Sequence, residues 1–229
     1  MTLFNKRWWA SVVLACTGFA VVGTTPAVAE ACGGEWGPAL FEPDHRPRVI
    51  PLAEKALEEG RTIAAAGFVI RAMPHIRSLR PTSAAIVGRA ERVLALALAR
   101  HGGALAVERE VPGYAQSTWR GKTSAQRQAN LRWAGAALRA LHAAEGDDPA
   151  LETDLAEVLA KLPETRAEAR ERLERLAQRD LIGSAEGYAV LAELRAESGD
   201  RNGEKLALSR CRAMSKLKDV CVAPGEGAS

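Results

Sequence analysis

The side chains best able to do chemistry in this chain are its four cysteines and four histidines, and their spacing limits what they can do together. Cys211 and Cys221 stand ten residues apart near the C-terminus. A bond between them would fold the tail back onto the last helix, and a loop that small contributes about 2 to 3 kcal/mol in the chain-entropy picture. The competing reading leaves Cys211 as a small core residue and Cys221 as a free thiol. Cys32 has no local partner, so it is free, joins another chain, or displaces one member of that pair. His45, His75, His101 and His142 show no zinc-ligand spacing with one another, with cysteine or with carboxylates, so no metal is expected. Serine-nucleophile, phosphate-loop and paired-cysteine redox motifs are missing too. Gly102 and Gly103 lack the lysine and the preceding strand that a phosphate cradle needs. These observations predict a protein without catalytic residues and without a cofactor.

Recognition chemistry is a different matter. Aromatic and arginine side chains dominate the tight spots of protein interfaces, and large aromatics are scarce in this sequence. Trp119 and Arg120 lie in a weakly patterned stretch and are the expected partner-binding residues, whereas Trp133 sits beside a helical stripe and reads as packing. Glu168, Arg170, Glu171, Arg172, Glu174 and Arg175 alternate in sign along a helix whose other side is Ala169, Leu173 and Leu176, which reads as a solvated face.

The N-terminus carries an address. Lys6 and Arg7 precede an uncharged, largely apolar run from Trp8 to Gly23, and Ala27, Val28, Ala29 form a small-x-small site, so cleavage after Ala29 is expected. A retained anchor would need about 20 apolar residues to cross a bilayer. A lesser reading takes Val13, Leu14, Ala15, Cys16 as a lipoprotein box with a lipid anchor on Cys16, although Leu14 fits the small-residue position poorly. Removal of residues 1–29 takes away two of the 31 basic residues and none of the 28 acidic ones, leaving a balance near zero. No positive field remains to attract nucleic acid. The mature chain is expected in the periplasm or outside the cell, with no membrane span and an unknown protein or peptide partner.

Alanine, leucine, arginine and glutamate dominate while aromatic and β-branched residues are few, which predicts an all-α chain. Residues 30–47 hold three glycines and three prolines and read as irregular. Val49, Leu52, Ala53 and Ala56 recur on one face of a first helix that Gly60 closes, and a second runs from Thr62 until Pro74 interrupts it. Pro81, Thr82 and Ser83 offer helix-start chemistry for a segment reaching Arg100. Residues 104–122 read as a long connection. Thr123 or Ser124 caps the next helix, Pro149 opens another at its first turn, and further helices follow around Ala169 to Leu176, Ser184 to Gly199 and Asn202 to Leu217. The tail 223–229 is small and polar, and reads as disordered.

At Val49 to Ala72 the spacing resembles a tetratricopeptide repeat. Large residues at Val49 and Leu52, small ones at Ala53 and Ala56, the turn glycine Gly60, and Ala65, Val69 and Ala72 follow the family's order. A partial match recurs as Tyr188, Leu191, Ala192, Gly199 and Leu208, with Arg195, Glu204 and Cys211 departing from it, and a third as Leu155, Ala156, Leu159, Ala169, Leu173 and Leu176. The resemblance implies antiparallel helix pairs at 48–77, 150–180 and 184–217, stacked as a short α-solenoid within a 48–222 domain. It also implies a docking scaffold for another protein. The alternative is a secreted enzyme or small-ligand binder with a pocket near residues 104–122, marked by convergent polar groups of shifted proton affinity.

Overall fold

A computed structural model describes residues 44–79, 85–107, 113–215, 217 and 219–222. The leader site at Ala29, the cysteines Cys16 and Cys32, the helix-start residues 81–83 and the tail 223–229 lie outside the described residues. Among the described residues the fold is entirely helical. It comprises α1 (Arg46–Glu58), α2 (Thr62–Ala72), α3 (Ala85–Arg100), α4 (Gly113–Trp119), α5 (Ser124–Glu145), α6 (Pro149–Leu159), α7 (Arg166–Gln178), α8 (Ala185–Glu197) and α9 (Arg201–Met214), with short 3-10 turns at Ile76–Ser78 and Pro163–Thr165.

Local chemistry sets most of the boundaries. The Thr123 hydroxyl accepts from the backbone of Gln126 while the Gln126 side chain accepts from the backbone of Thr123, a capping box that starts α5. Asp148 caps α6 through the backbone N–H of Ala150, with Pro149 in the first turn where its missing N–H costs nothing. Ser184 and Asp200 cap α8 and α9 in the same manner. Gly60 ends the first helix with a positive φ of 76°, a conformation that side chains disfavour.

The helices pack largely with their neighbours in sequence. α1 lies on α2, α3 on α5, α6 on α7 and α8 on α9. A row of contacts runs α1 to α3 to α6 to α8, and α2, α5 and α7 each touch the first helix of the following pair. Small residues permit these approaches: Ala53, Ala56, Ala65 and Ala66 are all fully buried in the first pair. At Gly187 a Cβ would lie 2.5 Å from the Thr153 methyl, so α8 can come this near to α6 only without a side chain there.

Three sequence expectations are corrected. Leu52 is 52 % exposed, and Ile50 takes the buried position beside Ala53 and Ala56, because the inner stripe of α1 is rotated toward Ile50. Part of the expected connection 104–122 is the helix α4, whose seven residues are too few to show a period. The last helix stops at Met214, short of Leu217.

Candidate functional site

The richest polar chemistry lies where α3, α6 and α8 meet. Arg92 and Arg100 stand two turns apart on α3, Asp154 and Glu157 one turn apart on α6, and Glu186 in the first turn of α8. Arg100 meets Glu157 through two hydrogen bonds, Nε to Oε1 at 2.9 Å and Nη2 to Oε2 at 3.2 Å, and reaches Glu186 at 3.1 Å. Arg92 pairs with Asp154 at 2.5 Å. The Glu157 side chain is only 2 % exposed, so this ion pair is shielded from solvent.

Burial pushes the Asp154 carboxyl up to about 6; the Arg92 guanidinium opposes that rise and the nearby Glu157 charge adds to it. Burial also works against the Arg100 charge, but the attraction and hydrogen bonding of Glu157, with Glu186 behind, outweigh it and hold the guanidinium above its ordinary value. Each helix therefore supplies a charge that its neighbour neutralises.

Two cavities flank the cluster and share Arg100 and Glu186 in their linings. The larger, of about 860 Å³, is bounded by the α1–α2 turn, the ends of α3 and α6, one side of α8, and Leu217, Asp219, Val220 and Val222 of the tail. Ala99, Ala189 and Val190 give it an apolar floor, while Glu59, Glu193, Glu197 and Asp219 add acidic groups. Lys161 and Arg166 bind Glu193 at 3.4 and 3.0 Å, and Arg166 also pairs with Glu197. The smaller, of about 550 Å³, reaches Glu54, Arg89, Arg92 and Asp154. A third, of about 540 Å³, opens along α2 beside Phe68 and His101. None of the described residues lining these three falls between 104 and 122.

Trp119 and Arg120 part company. Trp119 is 1 % exposed, with its ring edge-on to Trp133 at 4.9 Å and the Arg77 guanidinium 5.1 Å from its centroid. Arg77 in turn donates to Asn130 at 2.7 Å, and Asn130 donates to the carbonyl of Gly103 at 2.8 Å. The partner-binding role expected for Trp119 is thereby corrected: its ring stitches α4 to α5 and offers no free face, whereas Arg120 is exposed. The helix-facing aromatic pair was invisible in the sequence because its members approach across a turn.

The disulfide is present: Cys211 and Cys221 are bonded, with their Cα atoms 5.7 Å apart. Of the histidines, His75 stacks on Tyr114 at 5.2 Å between centroids, and His101 meets the Thr62 hydroxyl at 2.5 Å and is held below its ordinary proton affinity by burial. No group of three or more histidine, cysteine or acidic side chains suited to a metal occurs among the described residues. No helix among them is long and apolar enough to cross a membrane. The charge run on α7 does more than face water. Glu168 pairs with Arg139 of α5, Arg172 and Arg175 with Glu152 of α6, and Glu174 with Arg195 of α8.

Comparison with known proteins adds no assignment: no family model, curated protein or solved structure matches the chain.

Proposed function

We propose that the mature chain is an exported, non-catalytic docking scaffold built from tetratricopeptide-like antiparallel helix pairs, stacked as a short α-solenoid, that holds an extended segment of a partner protein in the groove along α1, α3, α6 and α8. The observation that carries this reading is the cavity of about 860 Å³ lined by the α1–α2 turn, the ends of α3 and α6 and one side of α8, with an apolar floor and a rim of acidic side chains interleaved with Arg100 and Lys161. Packing of each helix pair on the next supports it, because such stacks leave one face free to vary without disturbing the core. The disulfide and the apolar leader segment with its Ala29 site agree with an oxidising compartment such as the periplasm.

Selection of a displayed peptide library on the full chain tests this. Selected peptides are expected to bind saturably and to lose about tenfold or more in affinity against Ala189→Trp, which fills the groove from α8. Binders indifferent to that substitution, or no binders, would refute the docking reading.

A second reading, a small-ligand binder, draws on one specific observation, the raised proton affinity of Asp154 beside Arg92 in the smaller cavity. Its mark is a small molecule that raises the melting temperature of the parent protein and leaves Asp154→Asn unmoved.

A further inference from the structure

The two sides of α9 differ sharply in chemistry. Glu204, Ala207, Leu208 and Cys211 are buried, and every other residue of the helix except Gly203 is exposed. Glu204 is the only acid in α9, so the solvent face carries Arg201, Lys205, Arg210 and Arg212 with no carboxylate of its own. Elsewhere the signs are interleaved: the acids and bases of α7 pair with α5, α6 and α8. On α9 pairing is thin. Arg201 meets Glu204 at 3.0 Å, Arg210 lies 3.7 Å from Asp180, and Lys205 and Arg212 take part in none of the ion pairs among the described residues. Asp200 is engaged at the helix start, where it accepts from the Gly203 N–H.

Spacing orders this face. At about 100° per residue, Asn202, Leu206, Ser209 and Ala213 run along its middle, with Lys205 and Arg212 on one edge and Arg210 on the other. Leu206, at 60 %, is the most exposed large apolar side chain among the described residues, and Met214 at the helix end is 46 % exposed. The described part of the tail does not cover them. Leu217, Asp219, Val220 and Val222 line the large cavity, Cys221 is bonded to Cys211 on the buried side, and Leu217 lies so near the α1–α2 turn that a Cβ on Gly60 would sit 2.6 Å from its methyl.

An uncharged, partly apolar middle between basic edges suits a helix lying in the surface of a bilayer. The basic stems reach sideways to lipid phosphates while the middle meets the acyl boundary. A nucleic acid or an acidic protein would use the cations and leave Leu206 in water. We propose that the outward face of α9 docks the protein flat on an anionic phospholipid surface, with Lys205, Arg210 and Arg212 at the headgroups and Leu206 in the apolar boundary. One leucine on a short helix holds only while charge attraction adds to burial, so the contact is reversible and weakens with salt. No α9 residue lines any of the three cavities, so docking here leaves their linings uncovered and does not depend on the groove reading above.

The chain from Glu30 onward, which contains every described residue and lacks the apolar leader run, is sedimented with two kinds of vesicle. One is phosphatidylcholine alone; in the other, phosphatidylglycerol makes up about a third of the lipid. The parent is expected to sediment with the anionic vesicles only and to be released at about 0.5 M salt. Lys205→Ala/Arg212→Ala should lower the partition about twenty-five-fold, roughly fivefold for each basic residue, and Leu206→Ser about fivefold or more. All three positions are exposed, and circular dichroism establishes that each variant is folded. Absence of binding to the anionic vesicles, equal binding to the neutral ones, or a double variant that partitions like the parent overturns the proposal. A parent-like Leu206→Ser also overturns it, because the cations alone would then carry the contact, and displacement by duplex DNA in that case would name a nucleic acid as the partner.

Discussion

Arg100→Met is the most informative single substitution. The guanidinium it removes is the direct partner of Glu157, whose side chain is 2 % exposed and which sits between α3 and α6. Without it Glu157 keeps a buried charge and loses both hydrogen bonds, and an uncompensated buried partner costs about 3 to 5 kcal/mol. Glu186 at 24 % exposure can turn to water, so it adds little to the loss. For a chain of this size each kcal/mol lowers the melting temperature by roughly 2 to 4 °C, which puts the expected fall at roughly 6 to 20 °C. Urea unfolding is the assay, with an unchanged slope and a lower midpoint showing that stability moved and compactness did not. The double variant Arg100→Met/Glu157→Met is expected to regain most of the loss, because two apolar side chains of similar volume leave no stranded charge. A single-variant loss below about 1 kcal/mol, or a double variant as unstable as the single, would show that the pair is solvated and refute the reasoning.

Other outcomes follow from the same geometry. The folded chain takes up a proton on Asp154 between its ordinary 3.8 and about 6, whereas the unfolded chain does so only near the lower value. Stability from this group is therefore full below 3.8 and is lost as pH rises through about 6; melting curves of the parent and Asp154→Asn should diverge in favour of the parent on acidification, and parallel curves would contradict this. Trp119→Ala should cost about 3 to 5 kcal/mol in urea unfolding while Arg120→Ala stays within about 0.5 kcal/mol, the pattern of a core residue beside a surface one. Loss of the disulfide in Cys211→Ser/Cys221→Ser should lower stability by about 2 to 3 kcal/mol, read by the same unfolding experiment under non-reducing conditions.

What could be read in advance was whatever the chain decides locally. The cap expected at Thr123 or Ser124, the first-turn Pro149 and the closing Gly60 act over a few residues, and the structure puts the cap at Thr123 and the other two at their places. The cysteine pair was legible for the same reason. Helix α4 was not, because it is held from outside, by Asn130 donating to the Trp119 carbonyl and by the Arg77 guanidinium over the Trp119 ring, both from other elements. The ionic cluster was also missed, although it leaves a trace. Asp154 and Glu157 interrupt a stretch of α6 so apolar that both must be buried, and buried acids call for arginines elsewhere. Departures from the repeat pattern near the C-terminus now have individual reasons. Arg195 binds Glu174 at 2.6 Å and donates to the Gly203 carbonyl, Glu204 pairs with Arg201, and Cys211 is half of the disulfide.

The meeting of Leu217 with Gly60 bears on how the molecule comes apart. A file of helices in which each element touches only its neighbours can unravel from either end, one pair at a time. Here Leu217, three residues past the end of α9, lies against Gly60 at the turn between α1 and α2, so the last described helix is followed by a contact to the first described pair. A contact of such large sequence separation is of the kind that slows folding relative to purely local stacks. Loss of that contact is therefore felt at both ends of the described helices and not at one alone.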